Sequence, residues 1–144
     1  HMFGQVHQIS RLVFIDRRLI ISGSQDGNLV IWSARSKGVK KVLKGHDSSI
    51  TALTLNSDRD LLVSASHDGN MRIWNLHSFT SRKSLGNPCA VKALKILNDD
   101  ATLVSGDSQG GITVWNLNTA ATVKSFDAHH GEVTSLSLLG RSRL

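Results

Sequence analysis

Tyrosine is absent, and the 144 residues hold one proline and one cysteine. A lone thiol, Cys89, excludes an internal disulfide. Small secreted domains usually pair their cysteines, so the expected location is cytoplasmic or nuclear. A single proline and no low-complexity stretch argue against a flexible interdomain linker. No apolar run is long enough to span a bilayer, and no signal-peptide layout opens the chain, so no membrane partner is expected. His1 and Met2 read as an expression scar and are set aside, leaving 3–144 as the folded part. Helical periodicity is missing too: no apolar pattern at helix spacing runs longer than two turns.

What is present is a sentence written three times. Ser22 to Trp32 (SGSQDGNLVIW), Ser64 to Trp74 (SASHDGNMRIW) and Ser105 to Trp115 (SGDSQGGITVW) share one pattern, with the tryptophans 42 and 41 residues apart. Gly4-Gln5, Gly45-His46, Gly86-Asn87 and Ala128-His129 recur in the same phase. A unit repeated at nearly constant spacing is architecture and not one active site.

Within each period the apolar runs are short and bounded by turn residues, which predicts strands and an all-β fold. First runs fall at 9–14, 50–55, 90–97 and 133–138; second runs at 19–24, 61–66 and 102–107. Third runs fall at 28–33, 70–75 and 111–116; fourth runs, less apolar, at 39–43, 80–85 and 122–126. Asp26-Gly27-Asn28 and Asp68-Gly69-Asn70 mark hairpin turns, since glycine accepts positive φ without a Cβ penalty. The third period keeps Gly110-Gly111 but has Gln109 in place of the aspartate, so its turn is expected to lack the carboxylate.

Four strands per period, a Gly-His pair and a strand-ending Trp resemble the WD-repeat β-propeller family, from Gly4 to Leu138. The residue after Trp departs from the pattern: Ser33, Asn75 and Asn116 stand where the family's Asp would be. The resemblance implies four-stranded antiparallel blades at about 9–44, 50–85 and 90–126, plus the first strand of a further blade at 133–138. That is an incomplete ring, and uncovered blade faces make self-association of such a piece the expected behaviour.

By the same resemblance a blade carries a buried network of His, Ser or Thr, Asp and Trp. Residue by residue this maps to His46, Ser66, Asp68 and Trp74 in the second period, with Asp68 fixing the imidazole. The first period offers Ser24, Asp26 and Trp32 with Gln5 replacing His; the third is degraded to Asn87, Asp107, Gln109 and Trp115. Ser, His and Asp invite comparison with a catalytic triad, but Ser66 ends an apolar strand and its partners follow the architectural period. No Gly-x-Ser-x-Gly elbow is present, and no enzyme activity is expected.

No Cys-x-x-Cys or His-x-x-x-His spacing suggests a metal, and no cofactor is expected. Arg17-Arg18 lacks the residues flanking a phosphoinositide motif, and Trp32-Ser33-Ala34-Arg35 only partly matches the signature of ubiquitin-ligase substrate receptors. Lys and Arg outnumber Asp and Glu by 17 to 11, giving +6 at pH 7. The most basic stretch holds Arg35, Lys37, Lys40, Lys41 and Lys44, which suits an acidic partner or protects a strand edge.

The expected function is a non-catalytic protein–protein interaction scaffold. Its candidate partner surface comprises turns at Gln25, His67 and Ser108, linkers at Asp47, Ser48, His130 and Glu132, and the basic residues Arg35, Lys37, Lys40 and Lys41. A nucleic-acid-associated scaffold of an RNA-processing or ribosome-assembly complex ranks second, supported by charge and opposed by the lack of stacking aromatics.

Overall fold

The computed structural model describes residues 9–86, 89–97 and 101–127. The expected strand at 133–138 and residues Gln5, Asn87, His129, His130 and Glu132 lie outside them. The described chain forms twelve strands: β1 (Ile9–Phe14), β2 (Leu19–Ser24), β3 (Leu29–Ser33), β4 (Gly38–Leu43), β5 (Ile50–Leu55), β6 (Leu61–Ser66), β7 (Asn70–Asn75), β8 (Thr80–Gly86), β9 (Val91–Ile96), β10 (Thr102–Asp107), β11 (Gly111–Asn116) and β12 (Ala121–Asp127). They make three four-stranded antiparallel sheets, each a simple meander of four consecutive strands.

The tight turns explain the repeat. Between the second and third strands of each sheet, Gly27, Gly69 and Gly110 take φ of 88°, 89° and 87°, a conformation that L side chains rarely adopt. In the first two sheets the turn aspartate accepts the amide two residues on, Asn28 N to Asp26 Oδ1 at 3.1 Å and Asn70 N to Asp68 Oδ1 at 2.9 Å. The third sheet corrects the expectation of a missing carboxylate. Asp107, two residues upstream of Gln109, accepts from the amides of Gln109 and Gly111, each at 2.9 Å. The carboxylate has moved along the chain and still holds the turn.

The departure after each Trp has a similar reason. Asn75 Oδ1 accepts the amides of His77 at 2.8 Å and Ser78 at 3.2 Å; Asn116 Oδ1 accepts those of Asn118 and Thr119; Ser33 Oγ accepts that of Ser36 at 3.3 Å. The position requires a side-chain oxygen to organise the next turn, and Asn or Ser provides one without charge. Each turn also contains a non-glycine residue at positive φ: Lys37, Phe79 and Ala120.

The sheets stack face to face. Ile21, Leu29, Ile31 and Leu43 of the first pack with Ile50, Leu62, Trp74 and Leu76 of the second. The second sheet's opposite face, with Val63, Ala65, Met71, Ile73 and Leu85, packs with Val91, Leu94, Ile96, Leu103 and Trp115 of the third. A sheet buried on both faces explains the near-continuous apolar stretches of the second and third strands. The inner strands β1, β5 and β9 touch in succession, while β4, β8 and β12 lie outermost in their sheets.

One close approach tests this stacking. A Cβ on Gly23 would lie 2.5 Å from Ile50 Cγ2 and 2.8 Å from its Cβ, across the first interface. Gly23→Ala therefore forces the sheets apart and is expected to cost about 1–3 kcal/mol. A urea midpoint equal to that of the parent protein would show that the two sheets do not meet there.

Candidate functional site

The buried network around Trp74 was the first candidate for chemistry. Trp74 Nε1 donates to Ser64 Oγ at 2.8 Å, and His46 Nε2 lies 2.7 Å from the same hydroxyl. The expected Ser66 is not the indole's acceptor, and the reason is register. Trp74 pairs with Leu62, and Ser64 pairs with Arg72, so Ser64 is the hydroxyl one step along Trp74's own face. Ser66 lies two residues further toward the turn and donates to Asp68. The same correction applies to the first sheet, where Trp32 Nε1 donates to Ser22 Oγ at 2.7 Å and Ser24 donates to Asp26. In the third sheet Trp115 Nε1 donates to Ser105 Oγ at 2.8 Å, so the indole–hydroxyl pair is intact in a period that looked degraded.

Asp68 does not bond the imidazole as expected. Its Oδ1 takes bonds from Ser66 and Asn70, and His46 Nδ1 is buried without a hydrogen-bond partner. Burial would raise the Asp68 pKa, but bonds from Ser66 and Asn70, with His46 nearby, hold it below the ordinary value. Burial pushes His46 the other way, from 6.5 down to about 4; the Arg72 charge adds to this, while Asp68 and Asp47 oppose it. The ring is therefore neutral at pH 7. Ser64 has no exposed surface and His46 is 7% exposed, so this trio presents no nucleophile to solvent. It is a structural network that satisfies the Trp74 indole N–H through Ser64 and leaves His46 Nδ1 unpaired.

The exposed candidates divide between separate places. Gln25, His67 and Ser108 lie on the turns between second and third strands, and the turns back onto the linkers between sheets. His67 N donates to Ser49 O at 2.9 Å, and Ser108 N to Ala90 O at 2.9 Å. A Cβ on Gly27 would meet the carbonyl oxygens of His46 and Ser48 at 2.4 and 2.8 Å. The turns and the linker residues Asp47 and Ser48 thus share one rim, on which Gln25, His67 and Asp47 are exposed. Arg35 and Lys37 sit at the opposite rim, where Ala34 N donates to Arg18 O at 2.7 Å, and Lys40 and Lys41 lie on the outermost strand β4. The structure does not bring the basic residues to the first rim.

That opposite rim holds a cleft which sequence reasoning missed. Its volume is about 310 Å³, and Phe14, Leu55, Asn56, Arg59, Lys95 and Ile96 contribute to its lining. The ends of β1, β5 and β9 supply it, each about one repeat apart, and no local motif signals such a gathering. Arg59 spans the first two sheets by donating to Ile15 O. Among the described residues, no group of three His, Cys, Asp or Glu could hold a metal ion.

Comparison with known proteins identifies the architecture. The family described as "WD domain, G-beta repeat" matches residues 3–33 and 37–75. With three four-stranded sheets in place, the chain belongs to the WD-repeat family, and its sheets are propeller blades. The crystal structure of RRP9 WD40 repeats is similar at 25% identity and a TM-score of 0.85, over 93% of this chain and 43% of that one. A chain of the Mitotic Checkpoint Complex gives 29% identity and a TM-score of 0.89, over 98% of this chain and 44% of that one. The computationally designed Ika4 protein gives 28% identity and a TM-score of 0.85, over 96% of this chain and 84% of that one. This chain thus spans less than half the length of the first two. Comparison with curated protein sequences finds no match.

The His46 network predicts a pH dependence. The folded ring resists protonation that the unfolded ring accepts, so between pH 6.5 and about 4 the unfolded state binds more protons. Stability is full above pH 6.5 and falls as pH drops through that window, by about 3 kcal/mol in all. His46→Ala is expected to lose about 1–3 kcal/mol at pH 7, by stranding Ser64, and to flatten the slope. Urea unfolding of both proteins at a series of pH values measures each effect; parallel curves would refute the assignment.

Proposed function

We propose that this chain is a non-catalytic protein-interaction scaffold, and that partners dock on the rim formed by Gln25, His67, Ser108, Asp47 and Ser48. The carrying observation is the pinning of those turns. Asp26, Asp68 and Asp107 each tie down the backbone that follows, so neighbouring side chains project from rigid bases. A surface that is already ordered loses little entropy on binding. One similar chain belongs to the Mitotic Checkpoint Complex, which is in keeping with this reading. The wholly buried Ser64 supports the absence of triad chemistry. The single cysteine supports a cytoplasmic or nuclear setting.

Self-association is the second reading, favoured by Leu12 and Phe14, which are 54% and 64% exposed on the inner strand β1. A second copy would take these side chains out of water. Sedimentation is expected to show a mass rising with concentration, and Leu12→Ser to weaken the rise; a monomer at every concentration would refute it.

Site-specific photo-crosslinking tests the rim. A photoreactive residue at His67 is expected to capture protein partners in cell extract more strongly than one at Ser57, on the opposite rim. Equal capture at both positions would remove the rim from consideration.

A further inference from the structure

Each blade ends in an exposed strand, and those three strands carry one charge in one register. Lys41 pairs with Ile31, Lys83 with Ile73 and Lys124 with Val114, equivalent positions of β3, β7 and β11. Lys40 and Arg82 stand one residue earlier on β4 and β8. All five cations are exposed. No Asp or Glu occurs on β4 or β8, and β12 has one only at its last residue, Asp127. The other described carboxylates are gathered at the rims: Asp26, Asp47, Asp68 and Asp107 at one, Asp16, Asp58 and Asp60 at the other. Two of the cations have local contacts, Lys40 over the Phe79 ring at 5.9 Å and Lys83 to Asn118 O at 2.5 Å. Lys41, Arg82 and Lys124 have no carboxylate partner among the described residues.

Edge protection alone does not account for this. Lysine on an outer strand does block strand pairing, but mixed signs would do so without self-repulsion. A belt of one sign, repeated from blade to blade, is instead matched to a polyanion that runs across blades. We propose that β4, β8 and β12 form a belt that binds the phosphate backbone of single-stranded nucleic acid. Hydroxyls of Thr80, Ser81, Ser84, Thr122 and Ser125 are interleaved with the cations and add donors for phosphate oxygens. Among the described side chains of β4, β8 and β12 none is aromatic, so these offer no platform for base stacking and would read no sequence.

The shape selects the single strand. Inner strands touch one another while the outer strands splay, so the belt is convex. A duplex, stiff over about 150 base pairs, or a flat bilayer would meet one blade edge at a time. A flexible strand can follow all three. This surface is distinct from the proposed protein-docking rim, and either could fail without the other.

Fluorescence anisotropy with a labelled 20-nucleotide oligouridylate tests the belt. Binding is expected at 50 mM salt and should weaken steeply by 200 mM. Replacing Lys41, Lys83 and Lys124 together by Ala should weaken binding by about tenfold or more and lower the log–log salt slope by about 2, at roughly 0.7 for each phosphate contact. Each single replacement should lower it by about a third of that, which keeps the test open if the triple variant loses its melting transition. Arg17→Ala with Arg18→Ala, off the belt, should change little. The proposal is overturned by no binding at 50 mM salt, by belt variants that bind like the parent, or by polyglutamate, phosphatidylserine vesicles or a 20-base-pair duplex binding as tightly as the oligouridylate.

Discussion

A tryptophan indole taken out of water must give its N–H to an acceptor, and this protein solves that problem the same way three times. In every blade the acceptor is a serine hydroxyl on the neighbouring strand, reached at 2.7 to 2.8 Å. A buried donor left unmet would cost about 1–3 kcal/mol, a large fraction of the net stability of a domain. The bond fixes β2 against β3, β6 against β7 and β10 against β11 in register. It also sets which face of the sheet carries the ring, and in the second and third blades that face meets the preceding one.

From that constraint the rest of the blade follows. With register fixed, glycines fall at the positive-φ position of each hairpin, and a carboxylate falls where it can hold the turn. The third blade shows that geometry, and not residue position, is selected. Asp107 replaces the aspartate lost at Gln109 by reaching the same turn from two residues earlier. The oxygen after each Trp follows the same rule, because Ser33, Asn75 and Asn116 all serve as turn acceptors. Stability resides in the stacked inner faces, while turn residues such as Gln25 and His67 and the outer-strand cations are exposed.

His46 illustrates how much a single position can depend on its surroundings. Only the second blade, among the described residues, places an imidazole against the serine of the pair. Asp68 is close enough to influence the ring electrostatically, yet spends its hydrogen bonds on the turn. The ring is held neutral by burial and by Arg72, which makes it a structural element with an acid sensitivity and no catalytic partner.

Periodicity made the architecture legible before any coordinates. Short apolar runs, Asp-Gly turns and evenly spaced tryptophans are local signals, set by side-chain alternation and by the special backbone freedom of glycine, and they mark strands and turns without help from distant residues. Which hydroxyl meets each indole was not legible, because Ser64 and Ser66 are equivalent in pattern and only strand register separates them. The cleft between Phe14, Arg59 and Lys95 and the cationic belt of Lys41, Lys83 and Lys124 were also hidden. Their members stand about forty residues apart, and stacking of the blades is what brings them onto one surface. The chain by itself thus determined the repeating unit, since that depends on near neighbours. Tertiary structure alone decided the network partners and the surfaces, since those depend on register and on one blade lying against the next.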